Sequence, residues 1–214
     1  MKKIVIIGCG GLAKEIKYLI DAINKEKFEW NLLGFIDDWS ITRKGDNLID
    51  GYEVLGDINY LNKLDEEIFG IIAIGNPHYI KKTRESINNA NILFPNLIHP
   101  TADSDSMHLT GEGNIIGFCS KISCNVEIGD FNFFNSMCVV GHDTVIGSFN
   151  VFNPRVQISG SIKIGNGNFF GMGSSVIEKK KVGNYNKICA SSLVIKNVKD
   201  HESLFGIPAT KVDF

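Results

Sequence analysis

The stretch VVGHDTVIGSFNVFNPRVQISGSIKIG, Val139 to Gly165, decides the fold. Val140, Ile146, Phe152, Ile158 and Ile164 stand six residues apart in it, and stepping outward by sixes keeps meeting apolar side chains. The series starts at Ile116, passes Ile122, Ile128 and Phe134, and continues through Phe170, Val176, Val182 and Ile188 to Val194. In a chain that is 43% apolar, such an unbroken run in one phase arises by chance roughly once in a hundred thousand, so the repeat is genuine. Glycine often follows directly, as at Gly117, Gly129, Gly141, Gly147, Gly165, Gly171 and Gly183.

A period of six matches neither the 3.6-residue turn of a helix nor the alternation of a long strand. It suits a prism-shaped coil in which each side supplies one short strand, one inward residue and one turn. Three hexads close a coil, so Ile116 to Val194 makes about four coils whose strands stack in parallel, a parallel β-helix. Periodicity alone does not set its hand. Two residues after inward Val140, His142 and Asp143 fall on a turn between Val140 and Ile146. An imidazole has an ordinary pKa of about 6.5 and can accept a proton at neutral pH, which makes this pair the candidate for general-base chemistry.

Before the repeat, KKIVIIGCGGLAKEIKYLIDAI reads as a strand, a glycine-rich turn and a helix with Ile16, Leu19, Ile20 and Ile23 on one face. NLLGFIDD follows as a second strand ending in acids, and FGIIAIGNPHYIKKTRESI repeats strand, Gly-Asn turn and helix. Strands alternating with helices imply a small parallel sheet with its ligand site at the carboxyl ends of the strands. Gly8, Gly10 and Ala13 satisfy G-x-G-x-x-G/A, a turn in which phosphate can approach the backbone at a helix N-terminus. Asp37 and Asp38 stand where acids bind ribose or base edges. About 95 residues precede the coil, half of a dinucleotide fold, so a mononucleotide or nucleotide-linked sugar is the better fit. The expected division is a Rossmann-like nucleotide-sugar domain over 1–95 and a β-helix domain with a C-terminal tail over 96–214, an α/β plus all-β chain.

A formal charge of −2 and a pI near 6.2 give no global attraction to nucleic acid or anionic membrane. The apolar run near the N-terminus is four residues long before glycine and reads as a strand rather than a signal peptide. No segment approaches the roughly 20 apolar residues of a membrane span, and a cytoplasmic location is expected. Five cysteines without CxxC spacing indicate neither a disulfide framework nor a zinc site. Zinc of the carbonic-anhydrase kind needs three convergent histidines, whereas the hexads hold only His142, so no metal is expected.

Together, the GxGG turn, GFIDD, IGNP, IHP at Ile98–Pro100, GHD within the hexads and GIPA at Gly206–Ala209 resemble one family over nearly the whole chain. It comprises the bacterial sugar-nucleotide N-acetyltransferases of surface glycan synthesis and the related sialic acid O-acetyltransferases, left-handed β-helix enzymes of the hexapeptide-repeat type. The resemblance implies a homotrimer that uses acetyl-CoA. It implies His142 as general base, Asp143 as its orienting acid and the backbone N–H of Gly160 as carbonyl-oxygen donor. Coenzyme A contacts carry over to Gly160, Met172, Ala190 and Pro208, and nucleotide contacts to Gly10, Gly11, Asp37, Asp38, Gly75 and Asn76. Several positions depart from the family. Leu12 replaces a common histidine, Ile80 replaces an arginine whose charge Lys81 is a candidate to supply, Val151 replaces a second histidine, and Arg155 stands where glycine is common. The expected activity is therefore N-acetylation of a nucleotide-linked amino sugar. Sugar O-acetylation is the alternative, followed by a non-enzymatic nucleotide-binding scaffold.

Overall fold

The computed structural model describes residues 1–38, 48–103, 107–109 and 111–213. Two compact units divide the chain: Met1–Gly75 with Tyr79–Leu97, and Asn76–His78 with Ile98–Phe214.

In the first unit, β1 (Lys2–Ile7) lies between β2 (Trp30–Ile36) and β5 (Ile68–Ile72), parallel to both. The sheet order is β3-β4-β2-β1-β5-β6, with β3 (Leu48–Ile49), β4 (Tyr52–Gly56) and β6 (Ile92–Leu93) outside this centre. β1 buries four consecutive residues, Ile4 to Ile7, as a strand covered on both faces must. Helix α1 (Gly11–Glu26) buries Ala13, Ile16, Leu19 and Ile20. At the β1–α1 turn, Gly8 has φ 113°, and a Cβ there would sit 2.9 Å from the carbonyl oxygen of Ala73, so only glycine fits. The antiparallel β3–β4 hairpin and the short helix α2 (Ile58–Asn62) add to the elements that periodicity indicated. Helix α3 (Pro77–Ser86) follows β5.

The second unit is a left-handed parallel β-helix. Its first face stacks Lys121–Ile122, Val139–Val140, Gln157–Ile158, Ser175–Val176 and Leu193–Val194. The second stacks Met107–Leu109, Val126–Ile128, Val145–Ile146, Lys163–Ile164 and Lys181–Val182. The third runs from Ile115–Ile116 through Phe133–Phe134, Val151–Phe152, Phe169–Phe170 and Lys187–Ile188 to an antiparallel hairpin of Ser203–Gly206 with Ala209–Lys211. Partners stand 18 residues apart, as in Lys121↔Val139, Val145↔Lys163 and Val151↔Phe169, which is three hexads per coil. Every inward residue of the series from Ile116 to Val194 is at most 4% exposed. Phe134, Phe152 and Phe170 form a column with ring centroids 4.5 and 4.7 Å apart.

The turns obey the same period. Gly113, Cys119, Asn125, Phe131, Met137, Asp143, Phe149, Arg155, Ser161, Gly167, Gly173, Lys179, Tyr185 and Ser191 all have φ between 53° and 68°. Most are not glycine, although left-handed backbone costs an ordinary residue about 1–2 kcal/mol, so stacking of the coils imposes it. At the corner between the second and third faces, Asn114, Asn132, Asn150, Asn168 and Asn186 form a buried ladder. Each Oδ1 from Asn114 to Asn168 accepts the backbone N–H of the asparagine 18 residues on, at 2.8–2.9 Å. The Nδ2 groups of Asn114, Asn132, Asn150 and Asn168 donate to the carbonyls of Gly129, Gly147, Gly165 and Gly183. The next coil is shorter, with Glu202 reaching Asn186 over 16 residues, and Asn186 Nδ2 finds no partner among the described residues. Cys138 is buried under the same coils, and burial pushes its thiol up to about 12.

Candidate active site

His142 and Asp143 occupy the corner between the first and second faces, and the fold requires little of their side chains. These are 59% and 52% exposed. Below them, Thr144 is fully buried. Its Oγ1 accepts the Ile162 N–H at 3.3 Å and lies 3.4 Å from the carbonyls of His142 and Ser159, holding the turn from inside. Coil stacking fixes the outside: Asp143 N–H donates to Cys124 O at 3.1 Å and Ser161 N–H to His142 O at 2.7 Å.

Asp143 Oδ2 lies 2.7 Å from His142 Nδ1. Its other oxygen, Oδ1, accepts from Asn125 Nδ2 at 3.0 Å. The bond to His142, and then that from Asn125, hold the Asp143 carboxyl below its usual range. An ionised carboxylate only accepts, so Nδ1 carries the proton of the neutral imidazole, and in that form Nε2 is bare. The bare nitrogen faces Gly160, one coil further on, where a Cβ would lie 2.7 Å from Nε2. Glycine at 160 is what gives the ring its place. The Gly160 N–H donates to no acceptor among the described residues, while its carbonyl accepts from Lys179. The ring nitrogen of one turn therefore faces a residue with an unused N–H on the turn stacked next to it, an arrangement able to take up a proton and to stabilise a developing oxyanion.

The other residues suggested for coenzyme A lie elsewhere in the chain. Met172 and Ala190 fall on the corner between the third and first faces, stacked so that Ser191 N–H bonds Met172 O at 2.8 Å. Met172 is exposed. Pro208 follows a cis peptide bond between the strands of the closing hairpin. Within one chain, the first face of the prism separates the corner of Gly160 from that of Met172 and Ala190.

In the first unit, a cavity of about 480 Å³ opens at the carboxyl ends of the strands, lined by Gly8, Asp37, Asp38, Tyr79, Lys82 and Thr83 among others. It is large enough for a small ligand. Asp38 Oδ1 accepts the N–H of Ile58, which ties the acid to the start of α2. Gly10, Gly11 and Gly75 lie outside the cavity lining. A Cβ on Gly10 or Gly11 would meet nothing within 4 Å, so neither packing nor backbone demands glycine there. Asn76, grouped with the second unit, caps the first turn of α3 by accepting His78 N–H at 3.0 Å. Lys82, rather than the Lys81 singled out from the sequence, is the cation at the cavity; Lys81 pairs with Glu85 at 3.9 Å. Helical spacing held this signal, since Tyr79, Lys82, Thr83 and Ser86 recur at i, i+3, i+4 and i+7.

His99 is structural: Thr101 N–H reaches its Nδ1 at 3.1 Å, and its ring meets Phe118 edge-on at 5.2 Å. Among the described residues, no group of three or more His, Cys, Asp or Glu side chains could hold a metal, and no helix is long and apolar enough to cross a membrane.

Comparisons with known proteins agree across both units. The family model described as the PglD N-terminal domain matches residues 3–88. No curated protein sequence matches the chain. A mutant perosamine N-acetyltransferase from Caulobacter crescentus, solved with CoA and GDP-perosamine, is 26% identical with a TM-score of 0.83, over 100% of this chain and 98% of that one. The acetyltransferase domain of PglB from Neisseria gonorrhoeae, solved with acetyl coenzyme A, is 25% identical with a TM-score of 0.86, over 99% of each chain. WeeI from Acinetobacter baumannii, 22% identical over 99% of this chain and 100% of its own, shares the fold with a TM-score of 0.82. From the first sheet to the last coil, the chain resembles the hexapeptide-repeat sugar-nucleotide acetyltransferases.

Proposed function

We propose that this protein transfers the acetyl group of acetyl-CoA to the amino group of a nucleotide-linked amino sugar in surface glycan synthesis, with His142 as general base. The observation that carries the proposal is the bare Nε2 of His142, oriented by Asp143 at 2.7 Å and facing Gly160. Acetyl-CoA supplies a thioester carbonyl already activated toward an amine, so no covalent acyl-enzyme is needed. As the sugar amine forms its bond to the carbonyl carbon, His142 Nε2 takes the amine proton. Asp143 stabilises the resulting imidazolium, and the Gly160 N–H donates to the carbonyl oxygen as charge gathers there, a contribution of about 3 kcal/mol in comparable sites. When the carbon–sulfur bond breaks, the imidazolium returns the proton to the departing sulfur.

In the first unit, the proposed nucleotide site combines the open space at Gly10 and Gly11 with the acids of the cavity and Lys82. Asp37 and Asp38 suit ribose or base donors, and Lys82 suits a phosphate. Gly75 and Asn76 remain part of this proposal by resemblance to the family. The assembly is taken to be a homotrimer. Gly160 and the pair Met172 and Ala190 occupy different corners, so they flank one coenzyme A molecule when a second copy supplies one side, with Pro208 contributing from the closing hairpin. Support for the donor and acceptor classes comes from the two acetyltransferases with acetyl coenzyme A, or with CoA and GDP-perosamine, bound.

Incubation with acetyl-CoA and a panel of GDP-, UDP- and dTDP-linked amino sugars tests this reading. The expected product of one member gains an acetyl mass that survives mild base, as an amide does. A base-labile product would make the protein an O-acetyltransferase, and saturable sugar-nucleotide binding without any thiol release would reduce it to a binding scaffold.

A further inference from the structure

We infer that Asn125 is a positioning residue for acyl transfer, reaching from the preceding coil to hold the Asp143 carboxylate in the orientation that leaves His142 Nε2 bare. The inference rests on His142 acting as the base. It begins from the backbone: Asn125 and Asp143 take the same left-handed place at the same corner of successive coils, with φ 57° and 56°. Stacking brings their side chains together at a separation of 18 residues, with Asn125 Nδ2 to Asp143 Oδ1 at 3.0 Å. The amide nitrogen must face the carboxylate, because its oxygen would meet another acceptor.

The carboxylate is consequently held at both ends. Asn125 takes Oδ1, and Oδ2 is turned to His142 Nδ1 at 2.7 Å. With only the imidazole as partner, the exposed carboxylate could rotate about its own bond and the ring could turn with it. No ionisable group other than His142 bears on Asp143 among the described residues. Cys124 and Asn125 come from the coil before, and Gly160 and Ser161 from the coil after; neither coil adds a charge at this corner. Asn125 therefore fixes the second oxygen of the acid.

Two substitutions keep the backbone at ease, since glycine and aspartate both tolerate positive φ. Asn125→Gly removes the donor, and Asn125→Asp replaces it with a like charge of the same shape. The test follows His142 by NMR in protein labelled at its histidine rings, with the His142 signal assigned by its loss in His142→Ala and the other four histidine signals reporting the fold. In wild-type protein the neutral ring is expected as the Nδ1–H tautomer. Asn125→Gly should mix in the other tautomer and lower kcat about fivefold, leaving KM for acetyl-CoA within about twofold, as loss of orientation rather than of binding does. Asn125→Asp should move the imidazole titration, and the acid limb of kcat/KM with it, to higher pH by about half a unit to one unit, because added negative charge favours the imidazolium.

A His142 tautomer and titration identical to wild type in both variants, with the other histidine signals in place, would overturn the positioning role. Failure of the underlying reading looks different: His142→Ala would then keep the wild-type rate, whatever the Asn125 variants do to the ring.

Discussion

Two corners of the same coil share a backbone and use it in opposite ways. Between the second and third faces, Phe149 stacks on Phe131 at 5.6 Å, and Asn150 lies fully buried with its amide bonded to the coils on either side. Between the first and second faces, the equivalent left-handed place holds Asp143, and the residue before it is His142, both exposed and bonded chiefly to each other and to Asn125. Six residues separate Asp143 from Phe149 in one repeating pattern. The difference teaches where the fold spends its side chains. One corner and the core supply cohesion, which leaves the other corner free to present an ionisable pair that the coil does not need.

The comparison breaks first, if it breaks, in the core. Phe152→Ala empties the middle of the phenylalanine column and should cost about 3–5 kcal/mol of stability by chemical denaturation. A loss under 1 kcal/mol would mean that the column does not carry the coil. Asn150→Ala comes next, at about 2–3 kcal/mol, because Asn168 N–H and its own Nδ2 partner Gly165 O lose buried bonds. Activity of the folded fraction should stay at the wild-type level, since Asn150 lies on the corner away from His142.

Gly160→Ala sharpens the contrast from the other side. The backbone at 160 is not left-handed, and the methyl would meet the mobile end of His142 at 2.7 Å. The ring should give way, so the rate of thiol release is expected to fall about tenfold with thermal stability nearly unchanged. Equal loss of stability and rate would show that Gly160 serves the coil instead.

The smallest effect concerns pH. Asp143 has its pKa lowered in the folded state, first by the bond to His142 and then by Asn125. Folding is therefore favoured while the carboxylate is ionised. That contribution is present above the unfolded value of about 3.9 and disappears as pH falls through the lower folded value. Comparing wild type with Asp143→Asn by thermal unfolding should show a slight advantage of wild type at pH 7 that fades on acidification, as pH falls below the unfolded value and through the lower folded one. An advantage growing on acidification would have the wrong sign.

Much of this was legible in the residues. Inward positions from Ile116 to Val194 stood out because a core has to repeat with its coil, and His142 and Asp143 stood out because they fall off that phase on a turn. The left-handed residues were hidden, since Phe149, Arg155 and Lys179 carry no propensity for positive φ and are forced there by stacking. The asparagine ladder did leave a trace, one asparagine two residues before an inward position in every third hexad, visible only after the 18-residue coil is known. Which corner a residue joins is likewise a property of three hexads together. That is why Gly160 and Met172 read as neighbours in function but sit on different corners of one chain.

The most direct test of the account is the rate of thiol release from acetyl-CoA by His142→Ala, measured beside wild type with the acceptor that the sugar-nucleotide panel identifies. The account predicts a fall of at least about a hundredfold, with unfolding by denaturant the same as wild type. A variant that keeps the wild-type rate would contradict it and return the exposed corner to mere decoration of the coil.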